Sequence, residues 1–225
     1  FPLAFDVLSE GDVARVREAT EVLLEKTGFR VTHPVLRARA RSAGARVEDA
    51  AERVRFPRGL LRELLAQAPS SFDVSWQDGT RVTYGGGSPH CLAIVTDPWI
   101  IDYGLQRPRR PVLADLRKHT VIAQKLECVV AASRMDFPVA DVEGPHSSLR
   151  ALEEHVLHFG KHYCVLAATW DSFQQWLEIG AIVADGRDLR GSRLISAGVA
   201  VLSPLTLAGM NGDLLLHACE YDFPV

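Results

Sequence analysis

Three apolar runs in this chain end on residues that could do chemistry. CVVAASRMDF (128–137) ends by Asp136, YCVLAAT (163–169) ends at Thr169 with Trp170 next, and RLISAGVAVLS (193–203) ends at Ser203 before Pro204. Asp136 is the sharpest of these, a carboxylate directly after an apolar strand. It reads equally as an aspartate capping the turn before Pro138. The face of Trp170 could attract a quaternary ammonium, since an aromatic quadrupole draws cations. Packing under the helix that follows is the plainer role for that ring. A second candidate is the loop Tyr84-Gly85-Gly86-Gly87-Ser88-Pro89, whose glycines allow a backbone to approach a ligand closely. It lacks the Gly-Lys-Ser/Thr ending and the following helix of a phosphate loop, and serves as a plain connector if it contributes nothing to a site.

The elements that must hold these residues follow from the spacing. The apolar runs recur every thirty-odd residues with amphipathic stretches between, and a further strand begins at Pro224-Val225. Parallel strands buried on both faces give this pattern. The expected fold is α/β: a partial (β/α)8 TIM barrel behind an N-terminal helical and β-hairpin extension. In such a barrel the residues just past each strand build the site, so only part of the constellation is expected here. The extension is expected over 1–111 and the first βα units over 112–225, with the linker-like GLQRPRRP (104–111) between them. Half a barrel leaves open edge strands, so a homo-oligomer is expected.

Within the extension, Ser9 and Asp12 form a capping pair for a helix with an apolar stripe at Val13, Val16, Thr20, Leu23 and Leu24, closed by Gly28. Pro34 and Pro57 open two more helices, ending at Gly44 and Gln67, and RVRF (53–56) alternates as a short strand. FDVSW and RVTYG make a hairpin around Asp78-Gly79, and CLAIVT and WIIDY, joined by Asp97-Pro98, read as a second. These hairpins suggest a lid or floor on one end of the barrel. Downstream helices are expected at 112–127, along Leu149, Leu152, Val156 and Phe159, and after an Asp171 cap.

Composition narrows the function classes. A net charge of −3 and 47% apolar residues suit a folded core and not a nucleic-acid binder. No apolar run reaches the roughly 18 residues needed to span a bilayer, so no membrane partner is expected and the cytoplasm is the expected location. Cys91, Cys128, Cys164 and Cys219 form no CxxC pair and read as buried free thiols. Arg30 to Arg62 holds nine arginines among 33 residues with acids interspersed, which reads as a solvated face and otherwise as a docking surface for an acidic partner. His155, His158 and His162 invite a metal-dependent hydrolase reading, but Gly160 ends the helix before His162 and no ligand motif is present. No metal site is expected.

Several segments together resemble the trimethylamine methyltransferase family. They are LSEGDVARVREATEVLLEKTGFRV (8–31), SAGARVEDAAERVRFPRGLLRELLAQAPSSFDV (42–74), YGGGSP (84–89), LADLRKHTVIAQKLE (113–127) and SPLTL (203–207), in order along nearly the whole chain. The resemblance implies a longer protein that moves a methyl group from trimethylamine or a quaternary, betaine-like amine to the Co(I) of a corrinoid (cobalamin) held by a separate, cognate corrinoid protein. No cofactor is then expected on this chain itself, and the part seen is expected to be inactive alone. Trimethylamine-specific members carry pyrrolysine later in the barrel. Strand-end geometry, not a family motif, nominates Asp97, Asp136 and Trp170 to hold the cationic nitrogen, with Thr169 and Ser203 nearby and Tyr84 and Gly86 near the mouth. CLAIVTDPWIIDYG is bulkier than the family's usual strand-turn-strand there, and the histidines are not a family pattern. A rival reading is a non-catalytic barrel that binds a quaternary amine.

Overall fold

Ser9 precedes an acidic first turn, and in the computed structural model it caps α1 (Glu10–Lys26) through the expected capping box with Asp12. The structure describes residues 7–225 other than 86, 88, 96, 97, 136–138, 145, 146 and 168, and only the backbone of Arg134 and Met135. After α1 come β1 (Phe29–Val31), α2 (Pro34–Ser42), β2 (Arg46–Glu48), β3 (Arg53–Arg55) and α3 (Arg58–Gln67). Next are β4 (Phe72–Ser75), β5 (Arg81–Tyr84), β6 (Cys91–Ile94), β7 (Ile100–Asp102) and β8 (Arg107–Arg109). The rest are α4 (Leu113–Lys125), β9 (Val129–Met135), α5 (Ser147–His158), β10 (His162–Leu166), α6 (Trp170–Val183), β11 (Ile195–Ala197), β12 (Thr206–Leu207) and α7 (Met210–Glu220). The chain is thus mixed α/β, and it divides into two compact units.

The first unit comprises residues 1–70 and 200–213. Its sheet runs β12-β1-β3-β2, with β12 parallel to β1 and the other pairs antiparallel. Val31, Ala45 and Val54 form its core, with Phe29, Phe56 and Leu60 packed around them. Gly28 turns the chain out of α1 at φ 68°, where a Cβ would lie 2.1 Å from the Val54 carbonyl oxygen. No other residue fits that approach. The apolar stripe read along α1 is corrected: Val13, Val16 and Leu23 are exposed, at 43%, 59% and 42%. The buried side chain of this helix is Glu21, which accepts two hydrogen bonds from Arg62 of α3. The arginine-rich stretch is spent largely on such internal pairs, among them Arg37–Asp49, Arg41–Asp49 and Arg55–Glu48.

The second unit, residues 71–199 and 214–225, holds a four-stranded parallel sheet in the order β11-β10-β9-β6. α4, α5 and α6 lie between successive strands in the sequence, so three βαβ units follow one another. One row crosses all four strands: Ile94 stands opposite Ser133, Ser133 opposite Cys164, and Cys164 opposite Ser196, while β6 shifts register against β9 between Cys91 and Leu92. Here the reading of CLAIVT and WIIDY as one hairpin is corrected. β6 joins the parallel sheet beside β9, and β7 pairs with β8 instead. β6 lies before the GLQRPRRP stretch at which composition suggested a boundary.

One face of this sheet packs on helices. Tyr163 of β10 is 2% exposed, in edge contact with Phe159 and near Trp176. Gly180 of α6 lets that helix approach Ile195, whose Cδ1 would be 2.6 Å from a Cβ there. Arg117 of α4 pairs with the buried Glu154 of α5, which also lies 2.8 Å from His158 Nε2. α6 is capped by Thr169 and not by Asp171, since the Thr169 hydroxyl accepts from the Ser172 backbone N–H at 3.2 Å. The run RLISAGVAVLS keeps its ladder only over Ile195–Ala197. Gly198 then crosses Leu166 so closely that a Cβ would lie 2.3 Å from Leu166 Cδ2. Among the described residues, no helix is long and apolar enough to cross a membrane.

Candidate functional site

Alternation along β10 divides its side chains between two environments. Tyr163 and Val165 go to the helices, while His162, Cys164 and Leu166 lie on the other face of the pleat. On that face, Ser133, Cys164 and Ser196 form one row across three strands, with the exposed Ile94 at its edge. The strands are therefore not apolar throughout, as their runs suggested. The polar row was legible as a period-two alternation in HYCVL.

His162 organises this face. Its Nδ1 lies 3.0 Å from the Arg193 carbonyl, which can only accept, so Nδ1 carries the proton. Nε2 is left as the acceptor for the Ser196 hydroxyl at 2.9 Å. Burial pushes the imidazole pKa down to about 4, which keeps it neutral. Burial also raises the Cys164 thiol, against a smaller opposing effect of Ser196, so it is no ready thiolate. Tyr84 stands edge-on to His162 with ring centroids 6.1 Å apart. Its phenol is raised to about 12 by burial and by Cys164, and its hydroxyl, like that of Ser133, has no hydrogen-bond partner among the described residues.

The hairpin β4–β5 closes the end of the sheet where its strands begin. Ser75 N–H donates to the Arg193 carbonyl, Gln77 N–H to Gly160, and Trp76 Nε1 to Val130. Lys161, 4% exposed, donates to the carbonyls of Leu126 and Val129 at 2.8 and 2.6 Å below the Trp76 ring. Of the two hairpins expected as a lid or floor, the first thus lies across the end of the sheet where its strands begin. Tyr84, nominated for the mouth together with Gly86, lies at this same end. Tyr84 packs against the first residue of β10, and a cavity of about 300 Å³ beside it is lined by Gly85, His90, Cys91 and Val130. Those residues sit where β6 and β9 start, because β5 runs into the loop at that end.

The other nominated residues are distributed as follows. Asp97, Asp136 and Gly86 lie outside the described residues. Thr169 is the cap of α6, its hydroxyl shared with Ser172. Trp170 is 38% exposed and one face of its ring is occupied by His217 of α7, at 4.3 Å between centroids. Ser203 belongs to the first unit, in the turn that leads to β12. The structure brings Tyr84 beside His162 and Cys164, and it draws Thr169 and Trp170 into the α6 terminus.

The histidines serve separate structures. His155 is buried against Phe159 with its Nδ1 3.2 Å from Thr120 Oγ1, His158 pairs with Glu154, and His162 is on the strand. Among the described residues no group of three His, Cys, Asp or Glu side chains could hold a metal ion. The four cysteines are free, but three of them, Cys91, Cys128 and Cys219, are exposed and not buried. Cys91 opens an edge strand and Cys128 lies in the turn before β9.

A parallel sheet with crossover helices, a row of polar side chains on one face and a hairpin across its strand starts defines an α/β domain. Residues 2–225 match the trimethylamine methyltransferase (MTTB) family. The chain belongs to that family. It is similar to trimethylamine methyltransferase MttB of Desulfitobacterium hafniense, with 22% identity over 222 residues, covering 96% of this chain and 44% of that protein. The chain therefore spans less than half the length of this curated relative.

Proposed function

We propose that the intact protein is a methyltransferase that moves a methyl group from trimethylamine or a quaternary, betaine-like amine to the Co(I) of a corrinoid held by a cognate corrinoid protein. The family match along residues 2–225 carries this reading. In it, β6, β9, β10 and β11 are the first four strands of a (β/α)8 barrel, placed in a reducing cytoplasm. The parallel order supports this, as does the Ala197 N–H donating to the Pro224 carbonyl at 2.8 Å, where a next strand would begin. Residues 1–111 supply the extension, with β6 reaching from it into the barrel.

A quaternary nitrogen already carries a leaving group, so the protein's task is to hold the cation and aim one methyl group in line with the cobalt. Asp97 and Asp136, at strand ends by sequence, are the groups for this, and dry surroundings strengthen their attraction. Trp170 contributes less, since His217 occupies one of its faces. The neutral His162–Ser196 pair and the hairpin floor fix the sheet beneath. The intact protein, mixed with its matched corrinoid protein and a reductant, should convert Co(I) to methyl-Co(III) with one member of a panel of methylamines and betaines. No spectral change with any amine would refute the proposal.

A further inference from the structure

Most arginines of this chain are taken up by carboxylates, as Arg62, Arg109 and Arg117 are. Arg81, Arg187 and Arg190 are among those that are not. They line one cavity of about 290 Å³ together with Ser75, Asp188 and Ser192, and among the described residues none of the three is in an ion pair. The cavity lies between the β4–β5 hairpin and the loop joining α6 to β11, within the second unit.

The loop is built to hold its shape. Asp185, Gly186, Gly191 and Arg193 adopt positive φ of 51°, 75°, 66° and 58°. The buried Leu189 anchors it, and its carbonyl accepts from the Ser192 hydroxyl at 2.9 Å. Arg187 is clamped by Nε on the Ala184 carbonyl at 2.8 Å and by Nη2 on the Gln77 carbonyl at 2.7 Å, which leaves Nη1 without a hydrogen-bond partner among the described residues. Arg190 rests over the Tyr221 ring, 5.4 Å from its centroid. The acids nearby are engaged by the backbone: Asp188 Oδ1 accepts from the Arg190 N–H at 3.0 Å, and Asp78 from the Thr80 N–H at 2.8 Å. Hydrogen bonds from Thr80 hold the Asp78 carboxyl below its usual range, with a smaller contribution from Arg187. With three guanidiniums and one carboxylate, the lining keeps a positive balance.

We propose that this cavity is an oxyanion site that takes the phosphate group of a small molecule. Guanidiniums present paired donors that match phosphate oxygens, and Arg187, already clamped on two carbonyls, loses less entropy on binding. The proposal is independent of the methyl-transfer reading, because it concerns the end of the sheet where strands begin. Titration of the full chain with inorganic phosphate, and separately with glycerol phosphate, should move the amide resonances of Gly79 and Gly191. Saturation is expected near ~1 mM or below. Tighter binding of glycerol phosphate would point to a phosphate ester, and equal binding to free phosphate. Arg81→Gln with Arg190→Gln should weaken both at least about tenfold, since two of three guanidiniums are lost. Both side chains are exposed, so the variant's unfolding midpoint should match that of the parent. Equal affinity in the variant, or shifts that an equal ionic strength of chloride reproduces, would overturn the proposal.

Discussion

Acidification from about pH 6.5 to 5 should destabilise the second unit through His162. His162 is fully buried, and its pKa is depressed from 6.5 to about 4. Between those values the unfolded chain binds a proton that the folded chain refuses. Stability is therefore complete above the unfolded value, declines as pH falls, and levels off below about pH 4. At about pH 5 the expression for a single site gives a loss of about 2 kcal/mol, and the full shift corresponds to about 3 kcal/mol. Above about pH 4.5 the paired carboxylates, including Glu154 and Asp115, are still ionised because arginines hold them below their usual range. The window from about pH 6.5 to 5 is thus free of their protonation. Urea unfolding followed by tryptophan fluorescence would measure it, comparing the parent with His162→Gln. The glutamine can still donate toward the Arg193 carbonyl but does not titrate. The parent should lose about 2 kcal/mol more than the variant across the window. Equal losses in both proteins, or an imidazole resonance that titrates near the unperturbed value, would refute the assignment of His162 as a buried neutral acceptor.

Three other substitutions test the frame. Gly28→Ala should cost at least about 2 kcal/mol in denaturant unfolding, because a Cβ would meet the Val54 carbonyl at 2.1 Å on a backbone of positive φ. Lys161→Met should cost about 1–3 kcal/mol, as the carbonyls of Leu126 and Val129 would lose their buried donor. Glu154→Gln should abolish a stability increment that is present above the ordinary glutamate pKa of 4.5 and is lost as pH falls through its lowered folded value. Acid titrations of parent and variant that run parallel through that range would show the Arg117 pair to be without consequence.

Local chemistry was legible wherever neighbours in sequence settle the structure. The Ser9–Asp12 capping box, the Pro34 and Pro57 helix starts, the Asp78-Gly79 turn and the spacing of the βα units each rest on contacts within a few residues. The family resemblance was legible for the same reason, since it is carried by ordered segments. The site was legible only in its types of residue. Which end of the sheet the glycine loop joins depends on β5 pairing with β4, and on the contacts of Trp76 and Gln77 with segments more than fifty residues away.

The sequence by itself determined the α/β class, the helix caps and the alternation that puts Cys164 and Tyr163 on opposite faces. Tertiary structure alone decided that β6 pairs with β9 rather than with its neighbour, that the α1 stripe stays exposed around a buried Glu21, and that Trp170 turns to His217. The physical reason is the same in each case. Pairing and burial depend on which surface a distant segment brings, and an apolar pattern records only that a partner is wanted, not which one arrives.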